Sequence, residues 1–441
     1  MTEWKSTTWG DIISLEYGKS LKGYKNGLGN YQVFGSNGSI GWSQKPLTNG
    51  PGVILGRKGA YRGIEFSQED FWVIDTAYFT KPLIELSTRW LYYAMKGYQV
   101  GDINDGSPIP STPRAFVYKE NVNLPPLSEQ KAIAHVLGKL DDKIALNRKM
   151  NQSLEAMAQA LFKSWFVDFD PVLDNALAAA APIPQPLQAK AQRRAQVPQA
   201  QKLLQQNPEL AREFPSTFCF NETLKQWIPE GWEVKALRQI TSELRRGISP
   251  KYTTEESGTL VLNQKCIRNH EINYGLGRRN DTTKKKVDGR LLRPGDMLVN
   301  STGTGTLGRV ANVVSLSEST VVDSHVTIIR ADTTVVDMNY FNGLIFSMER
   351  KIESMGEGST GQTELSRARL SELNVLLPPL YIQASVSEHL YQFFLKKDAT
   401  IKQSNQLTQL RDTLLPRLIS GKLRLPKELV AQFEAMPHSR A

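Results

Sequence analysis

The chain has 441 residues, 40% of them hydrophobic, and 8 Trp, 16 Phe and 14 Tyr exclude a disordered chain. At about 100 to 200 residues per domain, the length excludes a single ordinary domain. A formal charge of +10 suits a polyanionic partner, nucleic acid first, and two cysteines (Cys219 and Cys266) build neither a disulfide framework nor a structural zinc site.

The opening "MTEWKSTTWGD" lacks the charged-then-apolar run of a signal peptide. No apolar run approaches the ~18 residues of a membrane helix, so a cytoplasmic protein without a membrane segment is expected. Residues 1–124 alternate short apolar runs ("YQVF", "GVIL", "FWVI") with turn signals such as Ser36-Asn37-Gly38 and Asn49-Gly50-Pro51. A helix is predicted at "RWLYYAMKG".

Residues 125–170 are helical. Pro125-Pro126 ends the strand region, and Ser128 is placed to cap a helix running to Phe166. Ile133, Leu140, Asn147, Leu154 and Leu161 fall every seven residues, with Leu137, Ile144, Asn151, Ala158 and Trp165 as the companion row. Such a seam over five heptads predicts a coiled coil, in which Asn147 and Asn151 fix register at some cost in stability. Residues 171–229 are rich in Ala, Gln and Pro and read as a connector, with a short helix near "AQKLLQQ".

Then the chain repeats itself. "NLPPLSEQKAIAHVL" is echoed by "LLPPLYIQASVSEHL", with Leu124 and Leu377 lying 253 positions apart. Upstream, "GVILGRKGAYRGIEF" parallels "DMLVNSTGTGTLGRVANV", and "WVIDTAYF" parallels "TVVDSHVTII", pairing Asp75 with Asp323. Residues 230–377 are thus a second strand-rich domain, with a helix near "MNYFNGLIFSMERKI". Residues 378–425 are a second long helix with Val386, Leu390, Phe393, Ile401, Leu407, Leu410, Leu414 and Leu418 on its apolar stripe. Matching Asp141 to Asp398 there requires four extra residues, a stutter. Leu415-Pro416 kinks or ends this helix, and residues 426–441 form a tail.

Motifs of catalysis are missing. "GTGTLG" (303–308) fits G-x-G-x-x-G, yet "RVANVV" after it is strand-like, so no helix N-terminus is available for a pyrophosphate. The five histidines form no metal box, and there is no P-loop. Asp141-Asp142 read as a solvated helix face, and His325 beside Asp323 as a structural strand residue.

The basic residues concentrate in the strand-rich domains. Arg57, Lys58 and Arg62 decorate the first glycine turn and Arg309 the second. Arg245, Arg246 and Lys251 precede another loop, and "RRNDTTKKKVDGR" contributes Arg278, Arg279, Lys284 and Lys285. Tyr24, Tyr31, Tyr61 and Tyr274 are interleaved; Asn37, Gln264, Asn300 and Gln362 lie on candidate loops, and Arg114 and Arg367 complete the candidate DNA-binding set. Cations neutralise phosphates, while Arg, Asn and Gln can read base edges. Any one of these is ordinarily just a surface residue; the clusters carry the argument.

Two variable domains, each followed by L-P-P-L…Q and a long helix, resemble the specificity subunit of type I restriction–modification systems. "LPPLSEQKAIAHVLGKLDDKIALNRKMNQSLEAMAQALFKSWFVDFDP" is similar to that family's central conserved region. "FGSNGSIG", "GRKGAYRG", "VLNQKCIR" and "NSTGTGTLGRVA" resemble stretches of its target-recognition domains. The resemblance implies an α+β fold: two similar target-recognition domains on a spacer of two antiparallel coiled-coil helices, with pseudo-two-fold internal symmetry. It implies double-stranded DNA as ligand, each domain reading half of a split target. It also implies two modification subunits that methylate adenine and restriction subunits that cleave DNA. S-adenosylmethionine, ATP and Mg would sit on those partners, leaving this chain non-catalytic with no cofactor or metal of its own. The competing readings are a coiled-coil scaffold that binds only proteins, and an enzyme in its own right.

Overall fold

The computed structural model describes residues 4–59, 61–104, 106, 110–303, 305–357 and 363–434. It divides into two compact units, Met1–Lys149 with Ile401–Ala441, and Met150–Thr400.

In the first unit, strand Lys5–Thr8 pairs antiparallel with Asn121–Leu124. A four-stranded sheet runs in the order Ile13–Tyr17, Ala77–Pro82, Gly52–Gly56, Ile64–Ser67. A three-stranded sheet joins Gly38–Ser43, Tyr31–Gly35 and Phe71–Val73, the last two in parallel. The run "GVIL" is continuously apolar because its strand is covered on both faces. Val53 and Leu55 enter a core with Trp9, Trp90 and Tyr93, while Ile54 enters another with Phe34, Phe71 and Phe79. Ser87 caps the helix Thr88–Gly97 by accepting the Trp90 N–H, and that helix buries Trp90, Leu91, Tyr93, Ala94 and Met95. Each large side chain so buried contributes about 1.5–3 kcal/mol.

The second unit repeats this plan. Glu233–Ala236 pairs with Asn374–Leu377. A four-stranded sheet has the matching order Thr241–Arg246, Val326–Ala331, Met297–Asn300, Val310–Asn312. The other sheet, Tyr252–Thr253, Arg278–Asn280, Thr259–Leu262 and Thr320–Val322, again ends in a parallel pair but carries one more strand. Met297 and Val299 face one core and Leu298 another, as in "GVIL". The helix Met338–Ser347 is capped by Asp337.

Two helices of 40 residues, Leu127–Phe166 and Leu380–Ile419, contribute to both units. The first starts one residue before Ser128, which lies inside its first turn. Within the first unit, Asp141 meets Arg411 at 2.7 Å, and Asn147 Nδ2 donates to Gln403 Oε1 at 2.9 Å and Ser404 Oγ at 3.2 Å. Within the second, Asn151 accepts from Thr400, and Lys397 Nζ meets Glu155 at 2.7 Å. Numbers rise on one helix as they fall on the other, so the pairing is antiparallel.

Ile133, Leu137, Ile144, Asn147, Asn151, Ala158 and Trp165 are buried, and Leu140, Leu154 and Leu161 half-buried. The seam of the second helix differs from the sequence reading. The offset of 253 that pairs Gln130 with Gln383 holds along it, matching Ile133 with Val386, Leu137 with Leu390, Leu140 with Phe393 and Asn147 with Thr400. Thr400 is therefore the buried seam residue and Ile401 sits beside it, half-buried; Leu410 is exposed. No stutter occurs, because the two helices are equally long. Matching Asp141 to Asp398 misled because a polar position is not pinned by packing. Pro416 falls in the last turn, and the helix ends at Ile419.

The stretch 171–229, read as a connector, is folded. It holds helices Asp170–Ala178, Gln185–Ala195, Leu203–Gln206 and Pro208–Glu213, and a hairpin of Phe218–Asn221 with Gln226–Pro229. Arg194 grips the buried Asp174 carboxylate at 2.8–3.0 Å, and Asn175 Nδ2 donates to the Ala211 and Phe214 carbonyls. Val172, Leu203, Leu210, Ala211 and Phe214 join the core of the second unit. Ala and Gln are good helix formers, so the low-complexity composition concealed helices. Among the described residues no helix is long and apolar enough to cross a membrane.

Candidate nucleic-acid interface

Backbone hydrogen bonds align the loops of the two strand-rich heads. The Arg57 N–H donates to the Thr76 carbonyl and its own carbonyl accepts the Thr112 N–H, both at 2.9 Å. The Ser301 N–H donates to the His325 carbonyl and its carbonyl accepts the Leu365 N–H, both at 2.8 Å. Ser301 therefore occupies the place of Arg57, and Thr302 that of Lys58. Two residues after Thr112 and Leu365 come Arg114 and Arg367, each opening a short helix and each exposed. The same bonds correct one pairing. Ala77 N–H donates to Ile74 O and Val326 N–H to Asp323 O, so Asp323 corresponds to Ile74 and not to Asp75.

In the first head, Asn37 is exposed on the turn between Tyr31–Gly35 and Gly38–Ser43. It lies against the glycine turn, since a Cβ on Gly63 would stand 3.0 Å from its Oδ1. Lys58 is exposed, and Tyr61 is 78% exposed. Arg57 is half-buried, its guanidinium 5.0 Å from the Tyr17 ring centroid and 5.8 Å from that of Tyr78. Arg114 also lies 5.0 Å from the Tyr17 centroid. Arg62 differs in kind: its guanidinium donates to the Gly59 and Gly101 carbonyls and to Thr112 Oγ1 at 2.8–3.1 Å. It holds the loop in shape.

The second head divides its candidates into two groups. Around the glycine turn lie Gln264, Asn300, Arg309 and Arg246. Asn300 is fully buried and its Nδ2 donates to the Gln264 carbonyl at 3.1 Å, so it braces the turn instead of presenting an amide at the surface. Its counterpart, Gly56, has no such side chain, and a Cβ there would stand 2.1 Å from the Ser36 carbonyl. Arg309 is half-buried, and Arg246 pairs with Glu364 and donates to the Leu365 carbonyl. Gln362 lies outside the described residues. In "GTGTLG" the described turn 305–308 leads into a strand, Val310–Asn312, and not into a helix.

The second group lines the sheet edge. Lys251 N–H donates to Asn280 Oδ1, Arg278 stacks 3.4 Å from the Tyr252 centroid, and Lys284 and Lys285 are exposed on the loop that follows. Hydrogen bonds from Thr283, then Lys284, hold the Asp281 carboxyl down at about 2. Two arginines are engaged internally, Arg245 with Glu243 and the Gly289 carbonyl, and Arg279 with Glu318.

Other groups that sequence singled out prove structural. Asp141 accepts from Tyr93 Oη at 2.6 Å and from Arg411, so it is a half-buried tie and not a solvated face; Asp142 pairs with Arg89. His325 Nδ1 shares a hydrogen bond with Thr302 Oγ1, and its N–H donates to Asp323.

Sequence reasoning missed three features. Gln130 Oε1 accepts the Ser87 N–H and its Nε2 donates to the Pro125 carbonyl. Gln383 does the same with the Asp337 N–H and the Pro378 carbonyl. The glutamine of each L-P-P-L…Q copy thus fastens a long helix to the cap of a head helix; its recurrence was the available signal. The second is His270, which contacts Glu155 at 3.0 Å and Glu349 at 2.6 Å and stacks on Phe346. Burial alone would depress the imidazole, but the two carboxylates outweigh it and lift it to about 9. Burial likewise opposes the Glu155 charge, yet His270 and Lys397 hold that carboxyl down at about 2. Tyr17 is the third, and nothing in its sequence context marks it.

A family model described as "Type I restriction modification DNA specificity domain" matches residues 1–156 and 229–409. The type I restriction enzyme HindI specificity subunit of Haemophilus influenzae is 27% identical over 333 residues, 69% of each chain. The MjaIX specificity subunit of Methanocaldococcus jannaschii is 23% identical over 77% of this chain and 69% of its own. The crystal structure of a type I restriction–modification S subunit from M. genitalium shares the fold with a TM-score of 0.53 at 15% identity, covering 94% of this chain and 96% of that one.

Proposed function

The chain belongs to the type I restriction–modification DNA specificity family, and from that membership we propose how it works. It is the DNA-recognition subunit, and each head reads one half of a bipartite duplex target. The observation that carries this is the repeat itself: two heads of the same sheet order present different side chains at the same backbone positions, Arg57 and Lys58 in one, Ser301 and Thr302 in the other. One frame carrying different side chains at matching loop positions, an exposed Lys58 against a half-buried Thr302 and a half-buried Arg57 against a buried Ser301, is what reading two different half-sites requires. Lys58, Lys251, Lys284 and Lys285 supply phosphate contacts.

The chemistry belongs to partners. Two modification subunits carry S-adenosylmethionine and methylate adenine, restriction subunits carry ATP and Mg and cleave, and the assembly works in the cytoplasm. This chain supplies the address and no catalytic group.

The test is to map methylated adenines in DNA from cells with and without this chain. A split motif that disappears with the chain is expected; an unchanged map overturns the proposal. Binding of the purified chain to duplex DNA should fall steeply with salt, whereas a scaffold that binds only proteins would show no such dependence.

A further inference from the structure

Resting on the DNA-recognition reading, we propose that Tyr17 is a specificity-positioning residue of the first head, holding Arg57 and Arg114 as a pair of guanidiniums that read guanine in that head's half-site.

Tyr17 ends strand Ile13–Tyr17 and is 46% exposed. It is registered opposite Tyr78, with ring centroids 5.1 Å apart. Tyr78 is buried and forms the floor; burial first, then the neighbouring Tyr17 hydroxyl, pushes its phenol up to about 12. Arg114 opens the short helix Arg114–Lys119 two residues after Thr112, whose N–H donates to the Arg57 carbonyl. The Arg57 backbone is tied on both sides, to Thr76 and Thr112. Both main chains are thus anchored, and both guanidiniums lie 5.0 Å from the one exposed ring.

Among the described residues neither guanidinium is ion-paired or hydrogen-bonded. The contrast within the molecule is sharp, because Arg245, Arg246, Arg279 and Arg330 are each held by a carboxylate. A guanidinium stacked on a ring keeps its N–H donors free while losing rotamer freedom. Its planar fork fits guanine O6 and N7 in the major groove. The register of the second head places Arg246 where Tyr17 stands, opposite Thr327, and Glu364 holds it. At this place in the frame the second head therefore has an ion-paired arginine instead of an aromatic shelf, and its own stacked pair, Arg278 on Tyr252, lies on a different sheet edge.

The experiment selects from a random duplex pool with the full chain and its Tyr17→Phe, Tyr17→Leu and Arg57→Ala variants, then sequences what is retained. The half-site disturbed by Arg57→Ala is the first head's. Tyr17→Phe keeps the wild-type profile. Tyr17→Leu loses guanine preference in that half-site by about tenfold and leaves the other half-site unchanged. An unchanged profile in Tyr17→Leu, or equal loss at both half-sites, overturns the inference and leaves DNA recognition standing. A wild-type chain that enriches no split motif sinks the functional reading itself. Should Tyr17→Leu fail to fold, the wild type is assayed on duplex carrying 7-deazaguanine in the first half-site. About tenfold weaker binding is expected, and equal binding overturns the proposal.

Discussion

The two heads share nearly everything that makes them fold and little of what they show to solvent. Their four-stranded sheets have the same order, their parallel strand pairs occupy the same place, and a glutamine clips each to a long helix. At the loops the likeness ends. The first head offers Arg57 and Arg114 beside an exposed tyrosine, and an exposed Lys58; the second has a buried Ser301, a half-buried Thr302 and an exposed Arg367, with its buried Asn300 bracing the turn. Backbone hydrogen bonds and core packing fix the frame, so side chains that neither pack nor bond inside it are at liberty to differ. Specificity resides in that remainder.

The strongest way to break the comparison is at the shared clip. Gln130→Ala and Gln383→Ala each strand a backbone N–H and a proline carbonyl at a buried site. Each should cost about 3 kcal/mol, read by chemical denaturation, and the two costs should match. A large loss from one and none from the other would show that the two copies are fastened differently.

A second test exploits a charged cluster of the second unit. His270, 14% exposed, gains charge from Glu155 and Glu349, and its value of about 9 lies above the ordinary 6.5. A raised histidine gives stability that is complete below pH 6.5 and is lost as pH rises through 9, about 3 kcal/mol for this shift. Hydrogen-exchange protection of the second unit, after correction for the base-catalysed intrinsic rate, should fall across that range while that of the first unit holds, and His270→Gln should flatten the dependence. The Glu155 side of the network acts at the other end, failing as pH drops from 4.5 toward 2.

How far sequence alone could reach follows from the same physics. The helical seam was legible because packing forces Ile133, Leu137 and Ile144 onto one stripe, and no other arrangement buries them. The repeat was legible because both copies must make the same joint. The fold of 171–229 was not, since its decisive contacts, Asp174 with Arg194 and Asn175 with two carbonyls, are tertiary. The candidate readout residues were only partly legible. A loop asparagine looks the same in sequence whether it is exposed like Asn37 or wholly buried like Asn300. The arginines divide similarly: Arg62 and Arg279 serve the fold, whereas Arg57 and Arg114 rest on a ring.

Smaller in effect is the readout itself. Arg57→Ala should weaken binding to a duplex containing the full target by about 1 to 3 kcal/mol, with the loss confined to one half-site. Gln362→Ala should do the same at the other. Competition with duplexes altered in one half-site at a time reads this directly. Equal losses at both half-sites for either variant would erase the functional division between the heads.

The finest distinction lies within the helix pair, where Asn147 and Asn151 are equally buried but unequally served. Asn147 gives its Nδ2 to Gln403 and Ser404, while its Oδ1 is buried without a partner. Asn151 receives the Thr400 hydroxyl on its own Oδ1. Replacing Asn147 with Leu removes a stranded carbonyl and leaves Gln403, which is exposed, to bond water. Stability should rise by about 1 kcal/mol. Asn151→Leu removes a satisfied acceptor instead and should bring no gain. The stabilised Asn147 variant should pay in specificity, because leucine fits neighbouring registers equally well whereas the amide rewards only one. Disulfide trapping between cysteines introduced at 144 and 407 and at shifted positions measures the cost. If shifted pairs never form in Asn147→Leu, the asparagine does not set register and its burial needs another reason.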